Sequence, residues 1–234
     1  MAKAFGFVTF GHESLEIELT STSSYTDRSR LPLRKPVLGL LGGPGAGKSH
    51  LASVLEALGA GVVDADALAR QVLDDPTVRG EIVGWWGPRI LQADGSVNRS
   101  VVGEIVFASP AELARLESVI HPRVNRLRAE ARARFQVDDS VSAIVEDCPL
   151  LLERGLEGDC DWLVFVEAAD ATRLGRVTSK RGWSEQELRR RENHQHPLDI
   201  KRGRADYVFN SDADPSAFEA QARRLLEWAT TKTA

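Results

Sequence analysis

Short apolar runs separated by longer amphipathic stretches set the rhythm of the chain from residue 36 onward. Five runs read as strands: 37–42, 61–65, 142–147, 162–167 and 206–210. Helical patterns lie between them, and strand alternating with helix predicts an α/β fold around a parallel sheet. The stretch 76–139 breaks the rhythm. It carries no strand-like alternation, is rich in helix formers, and divides at Pro88, Gly95, Pro110 and Pro122, so it predicts a helical insertion. Residues 1–35 stand apart as an N-terminal extension outside a 36–234 domain. Phe5, Phe7, Val8 and Phe10 make a β-prone run, and Leu15, Ile17 and Leu19 alternate with Glu16 and Glu18. That pattern suits a small hairpin, which is marginal on its own in water. Ser21–Arg34 is polar and lacks periodicity.

The first strand runs directly into Gly42-Gly43-Pro44-Gly45-Ala46-Gly47-Lys48-Ser49. This fits G-x-x-x-x-G-K-[ST] at every fixed position, with a helical stretch His50–Leu58 behind it. Glycines let the backbone wrap round a phosphate, and the helix N-terminus adds partial positive charge. Lys48 supplies a point charge to the β- and γ-phosphates, and Ser49 offers a hydroxyl to Mg²⁺. Gly43, Pro44, Gly45, Ala46, Gly47, Lys48, Ser49 and His50 are therefore the candidate ATP-binding residues. The loop names a nucleoside triphosphate but not the acceptor of its phosphoryl group.

The second strand ends in Asp64-Ala65-Asp66, followed by a helix over 67–73 that carries Arg70. In an open parallel sheet, ligands bind beyond the carboxyl ends of the strands. A carboxylate there can take the proton of an acceptor hydroxyl or hold Mg²⁺ through water. Asp66 is the candidate base. Asp64 is either a second substrate contact or the cap of the next helix. Asp147, at the end of the third strand, is either a metal-side acid or a cap.

Composition narrows the partners. Thirty Lys and Arg against 34 Asp and Glu give a net charge of −4, so whole-chain charge gives no reason to expect nucleic acid, and any anion site must come from a local basic cluster. No stretch approaches the roughly 20 apolar residues that a helix needs to cross a bilayer. Two cysteines, Cys148 and Cys160, make neither a disulfide framework nor a zinc site. The expectation is a cytoplasmic enzyme, a monomer or weak oligomer, with no nucleic-acid or membrane partner.

The ordered series of motifs resembles the dephospho-CoA kinase family. The series is Gly42–Ser49, then Val63-Asp64-Ala65-Asp66-Ala67-Leu68-Ala69-Arg70, Asp94-Gly95, Ile120-His121-Pro122, Asp147-Cys148-Pro149-Leu150-Leu151-Leu152-Glu153, Gln195-x-Pro197 and Ala205-Asp206. The resemblance spans about residues 36–228. It implies a P-loop NTPase fold with a five-stranded parallel sheet, flanking helices, a helical substrate-side insertion over 76–139 and a lid over 173–204. It implies transfer of the ATP γ-phosphoryl group to the ribose 3′-hydroxyl of 3′-dephospho-CoA with Mg²⁺.

Under that resemblance Asp64, Asp66, Arg70, His121, Leu150 and Leu151 face the acceptor, and Ser49 and Asp147 face the metal. Two bland alternatives stay open: His121-Pro122 as a helix start, and Leu150-Leu151-Leu152 as plain core. Residues 173–204 hold ten Lys and Arg, which make either a lid or a solvated face. The family usually has Arg two residues before a Gly, where this chain has Lys180. Lys cannot make the planar two-pronged contact of Arg, so Arg181 is the expected catalytic arginine, with Arg191 as the second. His50 stands where the family usually has a small hydroxyl residue. The usual Asn after the last strand is replaced by Ser211, preceded by Asn210. Another small-molecule kinase, or a non-catalytic ATP-binding relative, are the competing functions.

Overall fold

A computed structural model describes residues 34–233. Five parallel strands form one sheet: β1 (Val37–Leu41), β2 (Ala60–Asp64), β3 (Ala143–Asp147), β4 (Trp162–Glu167) and β5 (Tyr207–Asn210), in the order β2-β3-β1-β4-β5. Each expected strand is present to within a residue or so. All five residues of β1 are buried, as befits a strand covered on both faces. The extension expected over 1–35 lies almost wholly outside the described residues. Lys35, at its end, already bonds to the body, its N–H donating to Gln136 Oε1 at 3.0 Å.

The strand order makes the site. From β1 the chain crosses to β2 at one edge, and from β3 it crosses to β4 on the other side of β1. The crevice between β1 and β3 is thus the switch point, where open α/β sheets bind ligands. Register sharpens it further. Asp64 of β2 sits directly beside Asp147 of β3, so two acids share one end of the sheet.

Helices α1 (Lys48–Ala57) and α9 (Pro215–Thr233) cover one face. Leu51, Leu55, Phe218 and Leu225 pack there against Leu38, Leu40, Val145, Val164 and Phe209. A second apolar cluster belongs to α2 (Ala65–Asp74), α3 (Pro76–Trp86), α4 (Arg99–Ala108) and α5 (Pro110–Val137), with Val78, Ile82, Trp86 and Val124 at its centre. This helical layer takes in α2, about ten residues before the expected start at 76. Asp75, Asn98 and Ser109 cap α3, α4 and α5 through side-chain acceptors, and Pro follows the cap in α3 and α5.

Pro122 does not begin a helix; it lies inside the 28-residue α5. Its ring removes one backbone donor from the ladder. Burial of Val119, Ile120 and Val124 on either side outweighs that loss, and Arg123 Nη1 donates to the Val119 carbonyl at 2.9 Å beside the gap. The chain then passes through α6 (Asp170–Arg181), α7 (Glu185–Glu192) and α8 (Leu198–Gly203), with Gly182 at positive φ ending α6. Among the described residues no helix is long and apolar enough to cross a membrane.

Candidate active site at the phosphate loop

The loop between β1 and α1 can take its shape because of two glycines in particular. Gly45 and Gly47 have φ of 77° and 101°, which L side chains rarely adopt. Space forbids a side chain as well. A Cβ at Gly45 would lie 2.6 Å from the Arg173 carbonyl, and one at Gly47 would lie 2.5 Å from Ser211 Oγ. Gly47 caps α1 without any side-chain hydrogen bond, which leaves the first N–H groups of the helix aimed at the loop.

Lys48 is 9% exposed and folds back under the loop, with Nζ donating to the Gly42 and Gly43 carbonyls at 2.7 and 3.1 Å. Burial draws its ammonium down to about 8; Asp147 and Asp66 oppose that shift, while Lys201 and Arg181 add to it. An anion placed in the loop would draw the value back up and hold the ammonium form.

Asp147 is 5% exposed and its pKa is raised, first by burial; a hydrogen bond from the Ser49 hydroxyl and the charge of Lys48 act against the rise. Its Oδ1 is buried without a hydrogen-bond partner. An orphaned carboxylate oxygen beside a serine hydroxyl fits a hard divalent cation. Among the described residues no group of three or more His, Cys, Asp and Glu could hold a metal. A cation here would thus depend on water and phosphate oxygens for the rest of its shell, which is how Mg²⁺ is usually bound.

Asp66 opens on the same cavity of about 560 Å³ as the phosphate loop, Asp147 and Leu150. Burial raises its pKa, and the neighbouring charges of Asp64 and Asp147 push the same way, against Arg70 and Arg181. A raised pKa makes it the better proton acceptor. Asp64 is the cap of α2, accepting from Ala67 N at 2.8 Å, and its other oxygen is 3.7 Å from Arg70 Nη2. Neither Asp64 nor Arg70 lines the cavity.

The far wall comes from α6 and α7. Lys180, Arg181 and Arg191 all line the cavity, as does Trp183. Arg181 and Arg191 lie over the Trp183 ring at 4.8 and 4.1 Å from its centre, a distance at which cation and ring attract. Arg189 ties α7 to α6 through Asp170, and it also pairs with Glu192 at 2.9 Å. His50 lines the cavity too, and its ring lies 4.7 Å from that of Phe218.

Besides Asp64 and Arg70, two more expected acceptor residues lie outside the cavity. Leu151 is 1% exposed and packs with Leu41, Cys148 and Phe165, so it belongs to the core while Leu150 faces the cavity. His121 lies on α5 outside that cavity, with Nδ1 2.7 Å from Arg154 Nη1 and Nε2 3.7 Å from Glu117. Burial and Arg154 lower its pKa.

Arg176 was missed by the sequence reading. It donates to the Ala46 carbonyl at 3.0 Å, to Ser211 Oγ at 3.0 Å and to the Ser211 carbonyl at 2.7 Å, so it braces the phosphate loop against the turn after β5. Sequence alone counted it as one of ten basic residues. Its role comes from contacts with distant backbone, for which no local pattern exists.

A family model described as Dephospho-CoA kinase matches residues 36–216. The dephospho-CoA kinase of Thermobifida fusca is 37% identical over 191 residues, covering 81% of this chain and 94% of that one. That of Anaeromyxobacter dehalogenans is 39% identical over 191 residues, covering 81% and 90%. Among solved structures, TT1252 from Thermus thermophilus superposes with a TM-score of 0.70 at 30% identity, covering 86% of this chain and 99% of that one. Dephospho-CoA kinase from Campylobacter jejuni shares the fold, with a TM-score of 0.61 at 19% identity and coverage of 86% and 100%. The matched span runs from the strand before the phosphate loop, through both acids of the sheet edge, to the start of α9, and the chain belongs to the dephospho-CoA kinase family.

Proposed function

We infer that this chain transfers the γ-phosphoryl group of ATP to the ribose 3′-hydroxyl of 3′-dephospho-CoA, giving coenzyme A and ADP. Family membership supports the acceptor. The observation that carries the chemistry is the meeting of Lys48, Asp147 and Asp66 in one cavity at the switch point of the sheet. Phosphoryl transfer needs positioned charge more than covalent help, and this cavity supplies both signs of it.

The backbone N–H groups of the loop and Lys48 hold the phosphates. Ser49 and Asp147 would hold Mg²⁺, which would supply charge neutralisation when bound. Asp66 accepts the proton of the 3′-hydroxyl as the hydroxyl oxygen bonds to the γ-phosphorus; the bond from that phosphorus to the bridging oxygen breaks, and ADP leaves with that oxygen. Arg181 and Arg191, steadied on Trp183, face the charge that spreads over the phosphoryl oxygens in transit. Asp64 and Arg70 support the start of α2 and hence the place of Asp66. Leu150 offers the acceptor an apolar contact. Residues 76–139 with α2 form the acceptor side, and 173–204 act as a lid closing over the nucleotide. A reaction that consumes ATP suits the cytoplasm.

An acceptor panel tests this reading. ADP release from Mg-ATP should rise on addition of 3′-dephospho-CoA and stay at its background rate with a nucleoside or a small sugar. Equal stimulation by a sugar or nucleoside would move the chain to another small-molecule kinase activity.

A further inference from the structure

Lys201 on α8 is a lysine with almost no access to water, 1% exposed, and the reaction as described gives it no task. Its Nζ lies 2.8 Å from Glu153 Oε1 and 2.9 Å from Gln195 Oε1. The same Glu153 oxygen accepts from His196 N at 2.8 Å, so the residue after Gln195 is pinned as well. Gln195 lines the cavity that holds the phosphate loop.

Hydrogen-bond chemistry then fixes which way the Gln195 amide faces. An ammonium has three donors and no acceptor, so the amide atom turned to Lys201 is the oxygen. What Gln195 keeps for any further partner is its NH₂ group. Reversing the amide would set N–H against a buried ammonium, and buried donors without acceptors are costly. Phosphate oxygens only accept. A glutamine locked with its donors available, in the wall of a phosphate cavity, is complementary to a triphosphate. The buried pair also lies close to the loop. Leu198, three residues before Lys201, would come within 3.2 Å of a Cβ at Gly43, and Lys201 is among the charges that depress Lys48.

We propose that Gln195 is a further phosphate-contacting residue of the nucleotide site, and that the buried Lys201–Glu153 pair is the positioning device that holds its donor face toward the nucleotide. This rests on the reading of the cavity as an ATP site. It adds a link in sequence terms: Glu153 follows the strand that ends in Asp147, and Gln195 follows α7, so one ion pair joins the metal-side segment to the wall opposite.

Gln195→Glu is the informative change because it is isosteric. Lys201 can pair with the new carboxylate, so the melting temperature should hold, while the group facing the phosphates becomes an acceptor bearing negative charge. Calorimetric titration with ATP should show Kd raised roughly ten-fold or more, and the KM for 3′-dephospho-CoA should stay near the wild-type value. Gln195→Ala should show a smaller rise. The double change Lys201→Met with Glu153→Gln removes both charges together; it should weaken ATP binding with the KM for 3′-dephospho-CoA unmoved, and adding Gln195→Ala to it should cost less than Gln195→Ala alone. An ATP Kd for Gln195→Glu within about two-fold of wild type would overturn the proposal. Because the readout is binding, wild type that binds ATP yet makes no acceptor-dependent ADP would refute the kinase reading while leaving Gln195 still tested.

Discussion

Asp64 and Asp66 are two residues apart and have different work. Asp64 spends one oxygen on Ala67 N, while Asp66 opens on the cavity with its pKa raised by burial and by the acids beside it. Asp66→Asn keeps the shape and removes the base, so kcat should fall by roughly 10²–10⁴-fold, with ATP binding little changed. Asp64→Asn retains a good helix cap and should keep most of the activity. Steady-state kinetics of both variants decide the matter, and the reverse pattern would move the base to Asp64. At this scale the sequence was readable where chemistry forces a residue type, as at Lys48 and Ser49. It was not readable where neighbours in the chain face different ways. Leu150 lines the cavity and Leu151 is core, and no spacing rule separates two adjacent leucines in an irregular turn.

Elements carry the next two expectations. Helix α5 meets β3 through Glu146, which is fully buried and takes Arg128 Nε at 3.0 Å and Arg132 Nη1 at 3.1 Å. Burial first, and the charge of Asp159, push the Glu146 carboxyl up, and both arginines draw it back. Arg128→Met leaves this carboxylate with half its compensation. Breaking a buried pair from one side costs about 3–5 kcal/mol, and the second arginine places the expected loss at about 3 kcal/mol or below by the same principle. Urea unfolding measures it; a loss under about 0.5 kcal/mol, the usual size for a surface change, would refute a structural role for the pair.

On α6, Arg181→Ala should lower kcat far more than it raises KM, because its partner is charge that develops in transit. Arginines supplied to phosphoryl transfer are worth up to about 10³–10⁵-fold. With Lys180 and Arg191 in the same wall, a loss of roughly ten- to thousand-fold is expected by that principle. Arg189 cannot serve as the neutral comparison, since it ties α7 to α6. Arg223, on α9 and paired only along its own helix with Glu219 at 2.7 Å among the contacts described, is the better one, and Arg223→Ala should leave kcat unchanged. A large loss from Lys180→Ala with none from Arg181→Ala would shift the role by one residue. The pattern of apolar runs predicted every strand, because buried parallel strands leave a compact signal. It misjudged Pro122, because a proline rule is local and the burial of Val119, Ile120 and Val124 is not.

Across the whole molecule, the site exists because strand order brings distant segments together. Residues 43–50, Asp66, Asp147, Arg181, Arg191 and Gln195 share one cavity, and Asp64 stands next to Asp147 only because β2 pairs with β3. Motif order in the chain pointed to the family, but not to which acids would be neighbours or that Arg176 would brace the loop. The central claim joins this cavity to one reaction. Its most direct test is to incubate the protein with Mg-ATP and 3′-dephospho-CoA and to quantify both products in the same sample. The account predicts ADP and coenzyme A in equal amounts, with neither formed when a chelator removes Mg²⁺. ADP without coenzyme A, or no turnover at all in folded protein that binds ATP, would contradict it.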